Sequence, residues 1–333
     1  MIIYYSKNAD HNNSEAIYNA LRSKNIDIFY CDISKLLDDI IYWGLLSKIF
    51  SRVLNIIPKF SLFYKIKSYR ATHVIIVHLF FINILDLIFL RLFFKKTKIV
   101  HLTLDSIHAK KWDFFFRDKL KFFDLILHTK EQDIPFYNTF NLEQVLFKQG
   151  YCEDLIKGFR NVKLQKEIDC CFIGNYAPER VKYLNFILND PRLFKVSFFV
   201  SGKGMVHSIK SLSKMHNFKG PTTGKKYYEM LMKSRVNLIF FNELAQDKVT
   251  TRFYELLEVD SVILCQYNEY TMNLFDRVQL FKNPGELIIN LKYILNVDCD
   301  TYNQLVNKQR ILKSKLLSSS WDICVNDIVN HLK

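Results

Sequence analysis

The sequence is poor in glycine and proline, and its cysteines show no pairing pattern. Only 9 glycines and 6 prolines occur in 333 residues, so glycine-rich loops that hold phosphates by backbone N–H groups are scarce. The cysteines form no Cys-x-x-Cys pair and no cysteine–histidine ladder, which argues against a zinc site and a disulfide framework. We expect free, mostly buried thiols in a reducing compartment. The seven are Cys31, Cys152, Cys170, Cys171, Cys265, Cys299 and Cys324.

The chain also lacks an uninterrupted apolar run of membrane-spanning length. Residues 74–94 come nearest, but Asp86 and Arg91 lie within them, and each charge near the centre of a spanning helix costs about 2.5–3.5 kcal/mol. We interpret this stretch as a strand followed by a helix. No cleavable leader precedes the first predicted strand, residues 2–5. The expected location is cytoplasmic, with peripheral contact to the inner face of the cell membrane as an option.

Positive charge is abundant and unevenly distributed. The net charge is +14, and residues 41–100 alone hold ten Lys/Arg and one acid, a net +9, together with many aromatic side chains. Basic residues beside exposed aromatics suit an anionic membrane surface. A basic outer face around an ordinary core is the alternative. The predicted amphipathic insert covers residues 33–70, and we expect it to be helical, with Pro58 ending its first helix.

The order of predicted elements indicates an α/β protein with two Rossmann-like domains. Apolar content of 49% supports a folded chain, and 333 residues suit two cores. Strands alternate with helices, which is typical of parallel sheets. Clear periodicity is lost over residues 130–167, and we place the domain boundary between about 150 and 168. We therefore predict an N-terminal domain over 1–155, a C-terminal domain over 165–300, and terminal helices over 301–333 that could pack back on the first domain.

Residues 235–267 carry the clearest functional pattern. Two apolar runs, 236–241 and 261–266, flank a polar loop and a short helix, which predicts a strand–loop–helix–strand unit. Ligands in such units lie outside the carboxyl end of the strand. Cationic and hydroxyl groups at this corner suit a phosphate, and a glutamate one turn into the helix suits a ribose diol. The residues there are Asp247, Lys248, Thr250, Thr251, Arg252 and Glu255.

Further candidates follow other predicted strands of the second domain. Gly174 would allow close approach of a ligand to the backbone. Lys203, in a short glycine loop, suits contact with a diphosphate. Arg180, near a helix start, could meet the same group or only pair on the surface.

The first domain offers candidates for a general base. Asp10 and His11 lie in the loop after the first strand, and Asp105 follows a later strand. Carboxylate and imidazole groups at the carboxyl edge of a sheet can take a proton from a hydroxyl group. A turn or capping role is the alternative for Asp10 and His11.

At these residues the chain resembles the C-terminal half of a GT-B glycosyltransferase of the "glycosyl transferases group 1" kind. The likeness is to the CgeB-like branch, in which a Thr/Ser-x-Arg-x-x-Glu helix follows a polar loop, here Thr250, Arg252 and Glu255. The text CFIGNYAPER at 171–180 is similar to the Phe-x-Gly…Arg opening of that branch. The resemblance covers roughly residues 168–295. In the family a Tyr-x-x-x-Leu helix lies below the base pocket, which implies that Tyr227 and Tyr228 border a nucleobase; a helix core position is the alternative.

The resemblance implies two domains facing across a cleft and transfer of a sugar from a nucleotide-sugar donor without metal or cofactor. The acceptor would be a saccharide or a lipid-linked molecule in surface polysaccharide or lipopolysaccharide synthesis. The positive charge of Arg252 and Lys203 would offset the negative charge of the departing diphosphate. Asp247 stands where the family has the first acid of its Glu-x7-Glu pair, so retaining and inverting chemistry both stay open.

Two other functions compete with this interpretation. The sequence pI of about 9.3 favours a nucleic-acid binder, but the basic residues cluster in aliphatic segments and no known nucleic-acid motif is present, so we expect no nucleic acid as partner. A catalytically inactive GT-B-like scaffold is the second, because the glycine that usually follows the Arg-x-x-Glu helix is absent from Leu257–Ser261.

Overall fold

The computed structural model of the chain divides into two compact units. Unit 1 comprises Met1–Gly150 and Ser320–Lys333, and unit 2 comprises Tyr151–Ser319. The predicted residues Asp10 and His11 lie outside the described residues, as does 33–55, the first part of the predicted basic insert. The structure describes residues 1–6, 13–32, 56–77, 79, 82–107, 113–159, 162, 164–205, 207–209, 216–242, 246–316 and 320–333.

The described part of unit 1 contains a six-stranded parallel sheet. The strand order is β2-β1-β3-β4-β5-β6, so the order reverses between β1 and β3. The four central strands are almost wholly buried, as expected where helices cover both faces. The strands are β1 (Ile2–Ser6), β2 (Ile28–Asp32), β3 (His73–Ile76), β4 (Lys98–Thr103), β5 (Leu125–His128) and β6 (Glu143–Leu146).

Helices alternate with these strands. We expected Pro58 to end a helix, but it lies in the first turn of one, Ile56–Ser68. That expectation was wrong because proline lacks only an N–H that has no partner in a first turn. The described helices before residue 150 are α1 (Asn13–Ser23), α2 (Ile56–Ser68), α3 (Ile84–Phe93), α4 (Asp113–Leu120) and α5 (Ile134–Asn138).

Unit 2 is built on a second six-stranded parallel sheet with a different winding. Its order is β12-β11-β10-β7-β8-β9, the doubly wound dinucleotide-binding order in which the first and fourth strands of the unit are neighbours. The direction of winding therefore reverses between β7 and β10. The strands are β7 (Ile168–Ile173), β8 (Phe198–Ser201), β9 (His216–Lys219), β10 (Ser234–Ile239), β11 (Val262–Gln266) and β12 (Leu280–Phe281).

Two apolar clusters pack on the two faces of this sheet. One contains Leu184, Ile187 and Leu291 from covering helices, and the other contains Tyr228 and Phe253. Alternation of side chains along each strand assigns neighbouring residues to opposite clusters. The helices of unit 2 are α6 (Glu153–Lys157), α7 (Pro178–Leu188), α8 (Gly224–Lys233), α9 (Thr251–Leu256), α10 (Glu269–Met272), α11 (Pro284–Asn296) and α12 (Cys299–Lys315).

The last two helices return to unit 1. They are α13 (Trp321–Cys324) and α14 (Asn326–Leu332), and α13 packs against α1. Trp321 is buried, and its indole Nε1 donates to Asn13 Oδ1 at 3.3 Å. Of the terminal segment 301–333, therefore, α12 belongs to unit 2 and only the residues after 319 belong to unit 1.

All seven cysteines are free thiols, and five of them are buried. Burial raises the pKa of the buried thiols, for example that of Cys171 to about 12, so they stay protonated and pack as small apolar groups. Within the described residues, no helix has the length and apolar character needed to cross a bilayer.

Candidate functional site

The carboxyl ends of β7 and β10 define the candidate site. These strands are paired in parallel, and the winding reverses between them, which is where ligands of doubly wound sheets bind. The loop after β7 leads to Arg180 on α7, and the loop after β10 leads to Arg252 on α9. The fold thus brings two cationic helix starts to one edge of the sheet.

The loops after β7 and β8 are held together by backbone contacts that require glycine. Gly174 N–H donates to Ser201 O at 2.8 Å, and Tyr176 N–H donates to Lys203 O at 2.9 Å. A Cβ on Gly202 would lie 1.8 Å from the carbonyl oxygen of Gly174. The Lys203 backbone therefore helps to fix the loop after β7, while its side chain lies exposed on the same edge.

Gly174 also makes room for the guanidinium of Arg252. A Cβ at position 174 would lie 2.6 Å from Cζ of Phe172 and 3.1 Å from Nη1 of Arg252. The guanidinium carbon of Arg252 lies 5.9 Å from the centre of the Phe172 ring and 5.5 Å from that of the Tyr227 ring. Both distances fit cation–π contact, so the side chain is held between two rings and the backbone of the β7 loop.

A hydrogen-bond chain fixes the other side of this guanidinium. Arg252 Nε donates to the Tyr227 hydroxyl at 3.2 Å, and that hydroxyl donates to Glu255 Oε2 at 2.6 Å. Tyr228 donates to the other carboxylate oxygen of Glu255 at 3.2 Å. Burial, together with the adjacent carboxylate, raises the pKa of both tyrosines, so their hydroxyls stay protonated and act as donors. Beyond this hydrogen-bond chain, the two Nη groups of Arg252 have no hydrogen-bond partner among the described residues.

Arg180 supplies a second cation, and its environment is electrostatically unfavourable. Its Nη1 donates to Asn175 O at 3.1 Å, but its Nε is buried without a partner among the described residues. Burial lowers the pKa of Arg180, the charge of Arg252 lowers it further, and Asp247 acts in the opposite direction. A buried donor and two cations that repel each other favour an anionic ligand at this point.

Asn268 helps to anchor the polar loop before α9. Asn268 Nδ2 donates to the carbonyl oxygens of Asp247 and Lys248 at 3.4 and 3.0 Å. Thr250 is the N-cap of α9 but makes no side-chain capping bond, and Thr251 is the first residue of the helix. Because α9 has only six residues, we assign the positive potential of the site to the guanidinium groups rather than to this helix.

The network makes a prediction about stability. Tyr227→Phe removes a hydroxyl that pairs with both a buried guanidinium and a carboxylate, so we expect it to lower the free energy of unfolding by about 2 kcal/mol. Tyr228→Phe, the matched control on the same helix, removes a single donor and should cost about 1 kcal/mol or less. Urea unfolding followed by circular dichroism measures both. Equal effects would contradict the central position of Tyr227.

The structure brings together five of the predicted donor-site residues: Gly174, Arg180, Tyr227, Arg252 and Glu255. The backbone of the predicted Lys203 joins the same edge. Sequence reasoning missed the link between Tyr228 and Glu255, and the tyrosine pair in GKKYYEMLM was the signal for it. The carboxylate of Glu255 keeps further acceptor positions beyond the two that the tyrosines use, so its predicted contact with ribose stays a prediction.

The predicted base Asp105 belongs to unit 1. Its side chain is exposed after the end of β4, and its carbonyl oxygen accepts from Thr103 Oγ1 at 3.0 Å. Beside it, Ser106 Oγ donates to Oδ1 of the buried Asp133 at 2.7 Å, and the Ile107 N–H donates to Oδ2 at 3.1 Å. This pairing fixes the start of the loop after β4, and the sequence did not indicate it because its members are 27 positions apart.

Comparison with known proteins gives no match to a family model and none to a curated protein sequence. Solved structures do match over the whole chain. An apo structure of OtsA has a TM-score of 0.65 at 12% identity and covers 100% of this chain and 98% of its own. The DNA-modifying enzyme β-glucosyltransferase, solved with and without uridine diphosphoglucose, has a TM-score of 0.64 at 13% identity, with 99% and 100% covered.

A third structure agrees with these two. The α,α-trehalose-phosphate synthase (UDP-forming) from Burkholderia vietnamiensis has a TM-score of 0.65 at 10% identity and covers 100% of this chain and 99% of its own. At such identities the likeness concerns the fold. The chain has the two-domain, Rossmann-like GT-B fold that these structures share, which confirms the predicted fold class.

Proposed function

We propose that this protein is a glycosyltransferase that takes a sugar from a nucleotide-sugar donor. The observation that carries the proposal is the pair Arg180 and Arg252 at the reversal point of the unit 2 sheet. Among the described residues, the buried Nε of Arg180 has no hydrogen-bond partner, and Arg252 uses only its Nε, in the bond to Tyr227. Planar guanidinium groups bind phosphate oxygens in a fork-like geometry. The names of the matching structures, which include a UDP-forming synthase and a glucosyltransferase with its uridine diphosphoglucose substrate, support the same class.

In the proposed reaction the bond between the anomeric carbon and the diphosphate oxygen breaks, and a bond from that carbon to an acceptor oxygen forms. The diphosphate leaves with added negative charge, which Arg180 and Arg252 would stabilise. Arg252 need not move for this, because the Tyr227 hydroxyl and two aromatic rings already hold it. The proton of the acceptor hydroxyl needs a base. Asp10, His11 and Asp105 are the proposed candidates if the configuration inverts, and Asp247 is the acid to test if it is retained.

The finer assignment is also a proposal. The matching structures suggest uridine diphosphate sugars as the first donors to test. We propose a saccharide or lipid-linked acceptor in surface polysaccharide or lipopolysaccharide synthesis, in line with the family resemblance.

The primary experiment is a thermal-shift panel with UDP-, GDP-, CMP- and ADP-sugars. One nucleotide class should raise the melting temperature, and the stabilising donor should then release its nucleoside diphosphate when acceptor saccharides are added. Stabilisation without any turnover would favour an inactive GT-B-like scaffold. Salt-sensitive binding to random oligonucleotides, with no response to nucleotide sugars, would favour a nucleic-acid binder.

Replacement of Arg180 is expected to raise the stability of the protein and to lower its affinity for nucleotide. In Arg180→Met the buried unpartnered donor and the repulsion by Arg252 are lost, so we expect the unliganded protein to gain about 1 kcal/mol. Nucleotide binding should weaken about tenfold, since one charged hydrogen-bond donor is lost. Differential scanning calorimetry and calorimetric titration measure the two quantities. The control is Lys182→Met, an exposed cation on the same helix, which should change neither.

A further inference from the structure

Helices α2 and α3 of unit 1 present a continuous apolar surface to solvent. Leu85 is 74% exposed, Tyr64 72%, and Phe60 and Phe93 67% each. Large side chains are seldom left this exposed in clusters unless a partner covers them. We call this surface the two-helix face, and its members are Phe60, Tyr64, Leu85, Phe89, Leu92 and Phe93.

The two helices lie side by side, so their exposed side chains form one surface. The ring centres of Phe63 on α2 and Phe89 on α3 are 4.5 Å apart, and those of Phe89 and Phe93 are 4.3 Å apart. Lys59 Nζ of α2 lies 2.7 Å from Asp86 Oδ2 of α3. The exposed members recur at helical spacing, four residues apart on α2 and at positions 85, 89, 92 and 93 on α3.

The solvent-facing side of α3 carries no charged side chain. The sequence of α3 is ILDLIFLRLF, and its two charged residues are Asp86 and Arg91. Both pair with neighbouring elements, Asp86 with Lys59 and Arg91 with Asp124 at 2.9 Å. An ordinary surface helix carries its charges on the outer face. In α3 both charged side chains are engaged in ion pairs with other elements, and the exposed side chains are leucine and phenylalanine.

The charge around the two-helix face selects the kind of partner. Residues 56–98 hold eight Lys/Arg and one acid, a net +7. Lys67, Lys95 and Lys96 are exposed and form no ion pair with any described residue. A second copy of this chain would bring the same positive charge opposite these lysines, which disfavours self-association. A lipid leaflet offers both negative headgroups for the lysines and an apolar layer for the rings.

We propose that the two-helix face docks on the surface of a membrane that contains anionic lipid. Helix α2 has 13 residues and α3 has 10, both shorter than the roughly 20 needed to cross a bilayer, so the contact is peripheral. The phenylalanine and leucine side chains enter the headgroup boundary, and the lysines contact lipid phosphates. The proposal does not depend on sugar transfer, although a lipid-linked acceptor would benefit from it.

The test is co-sedimentation of the full chain with two kinds of vesicle, pure phosphatidylcholine and phosphatidylcholine with about one-third phosphatidylglycerol. We expect binding to the anionic vesicles only, weakened by salt. The triple variant Leu85→Ser/Leu92→Ser/Phe93→Ser should lose about tenfold or more in affinity. The matched control is Ile289→Ser/Tyr293→Ser/Ile311→Ser, which removes three exposed apolar side chains of unit 2 and should bind normally.

A charge variant keeps the test decisive if the serine variant fails to fold. Lys67→Gln/Lys95→Gln/Lys96→Gln should weaken binding about tenfold and flatten its salt dependence. Lys182→Gln/Lys195→Gln/Lys226→Gln, exposed lysines of unit 2, should not. Equal binding to both vesicle types, or unchanged binding of the Lys67 variant, would overturn the proposal.

Self-association is the remaining outcome against it. If the wild-type protein ignores vesicles and light scattering shows a dimer that the Lys67 or Leu85 variant converts to monomer, the two-helix face is an interface between copies. No nucleotide sugar is present in any of these measurements. A negative result with vesicles therefore leaves the donor site unaffected, and failure of the donor panel leaves the vesicle result unaffected.

Discussion

Arg252→Ala is expected to weaken nucleotide binding by about two orders of magnitude, or ~3 kcal/mol. The side chain is held by the Tyr227 hydroxyl, by two rings and by the close approach of Gly174, so its terminal nitrogens are in place before any ligand arrives. Binding to such a fixed group costs little ordering. Calorimetric titration with the nucleotide found in the thermal-shift panel measures the loss.

Two further variants define what Arg252 contributes. Arg252→Lys keeps the charge but loses the planar fork and the Nε bond to Tyr227, so we expect it to recover only a small part of the affinity. Arg310→Ala is the control, because Arg310 pairs with Asp260 on the surface of the same unit and lies on α12. If alanine at 252 and alanine at 310 have the same effect on binding, the donor site is not at the edge formed by β7 and β10.

The largest expected effect on stability comes from Gly202→Ala. The added Cβ would lie 1.8 Å from the carbonyl oxygen of Gly174, and this contact is between backbones, so no flexible side chain can move aside. The loops after β7 and β8 would have to separate and break the bond from Gly174 N–H to Ser201 O. We expect a loss of about 4 kcal/mol and a fall in melting temperature of about 10 °C, measured by scanning calorimetry.

Gly158 and Gly220 provide matched controls in the same unit. A Cβ at either position meets no atom within 4 Å, and neither residue has a positive φ. Alanine there should leave the melting temperature within about 2 °C of the wild type. A result in which all three alanine variants melt together would show that the two loops are not fixed by the contact between Gly202 and Gly174.

Much of the unit 2 fold could be predicted because its central elements carry strong signals. The strand Ile168–Ile173 is apolar except for Asp169, and Pro178 lies at the start of the helix that ends at Leu188. The strands that were missed lie towards the sheet edges. β6 reads EQVL with little burial, β9 reads HNFK, and β12 has two residues. Strands that short and polar show neither an apolar run nor alternation.

The site could be predicted in part from its residue types and from their positions after predicted strands. The residue types that suit a phosphate follow predicted strands, so Arg180 and Arg252 could be selected from the sequence. Their mutual repulsion, the orientation of Arg252 by Tyr227, and the contact of Gly202 with Gly174 join residues 25 or more positions apart in the chain. Pairings of that kind depend on strand order, and periodicity within a segment contains no information about it.

The return of the last helices to unit 1 has a consequence for protein engineering. Because Trp321 is buried beside α1 and hydrogen-bonded to Asn13, unit 1 is made from both ends of the polypeptide, and unit 2 is an internal cassette. Truncation at the C-terminus would damage the half that lacks the arginine pair. Exchange of unit 2 with the corresponding unit of another protein therefore needs two junctions, near 150 and near 320.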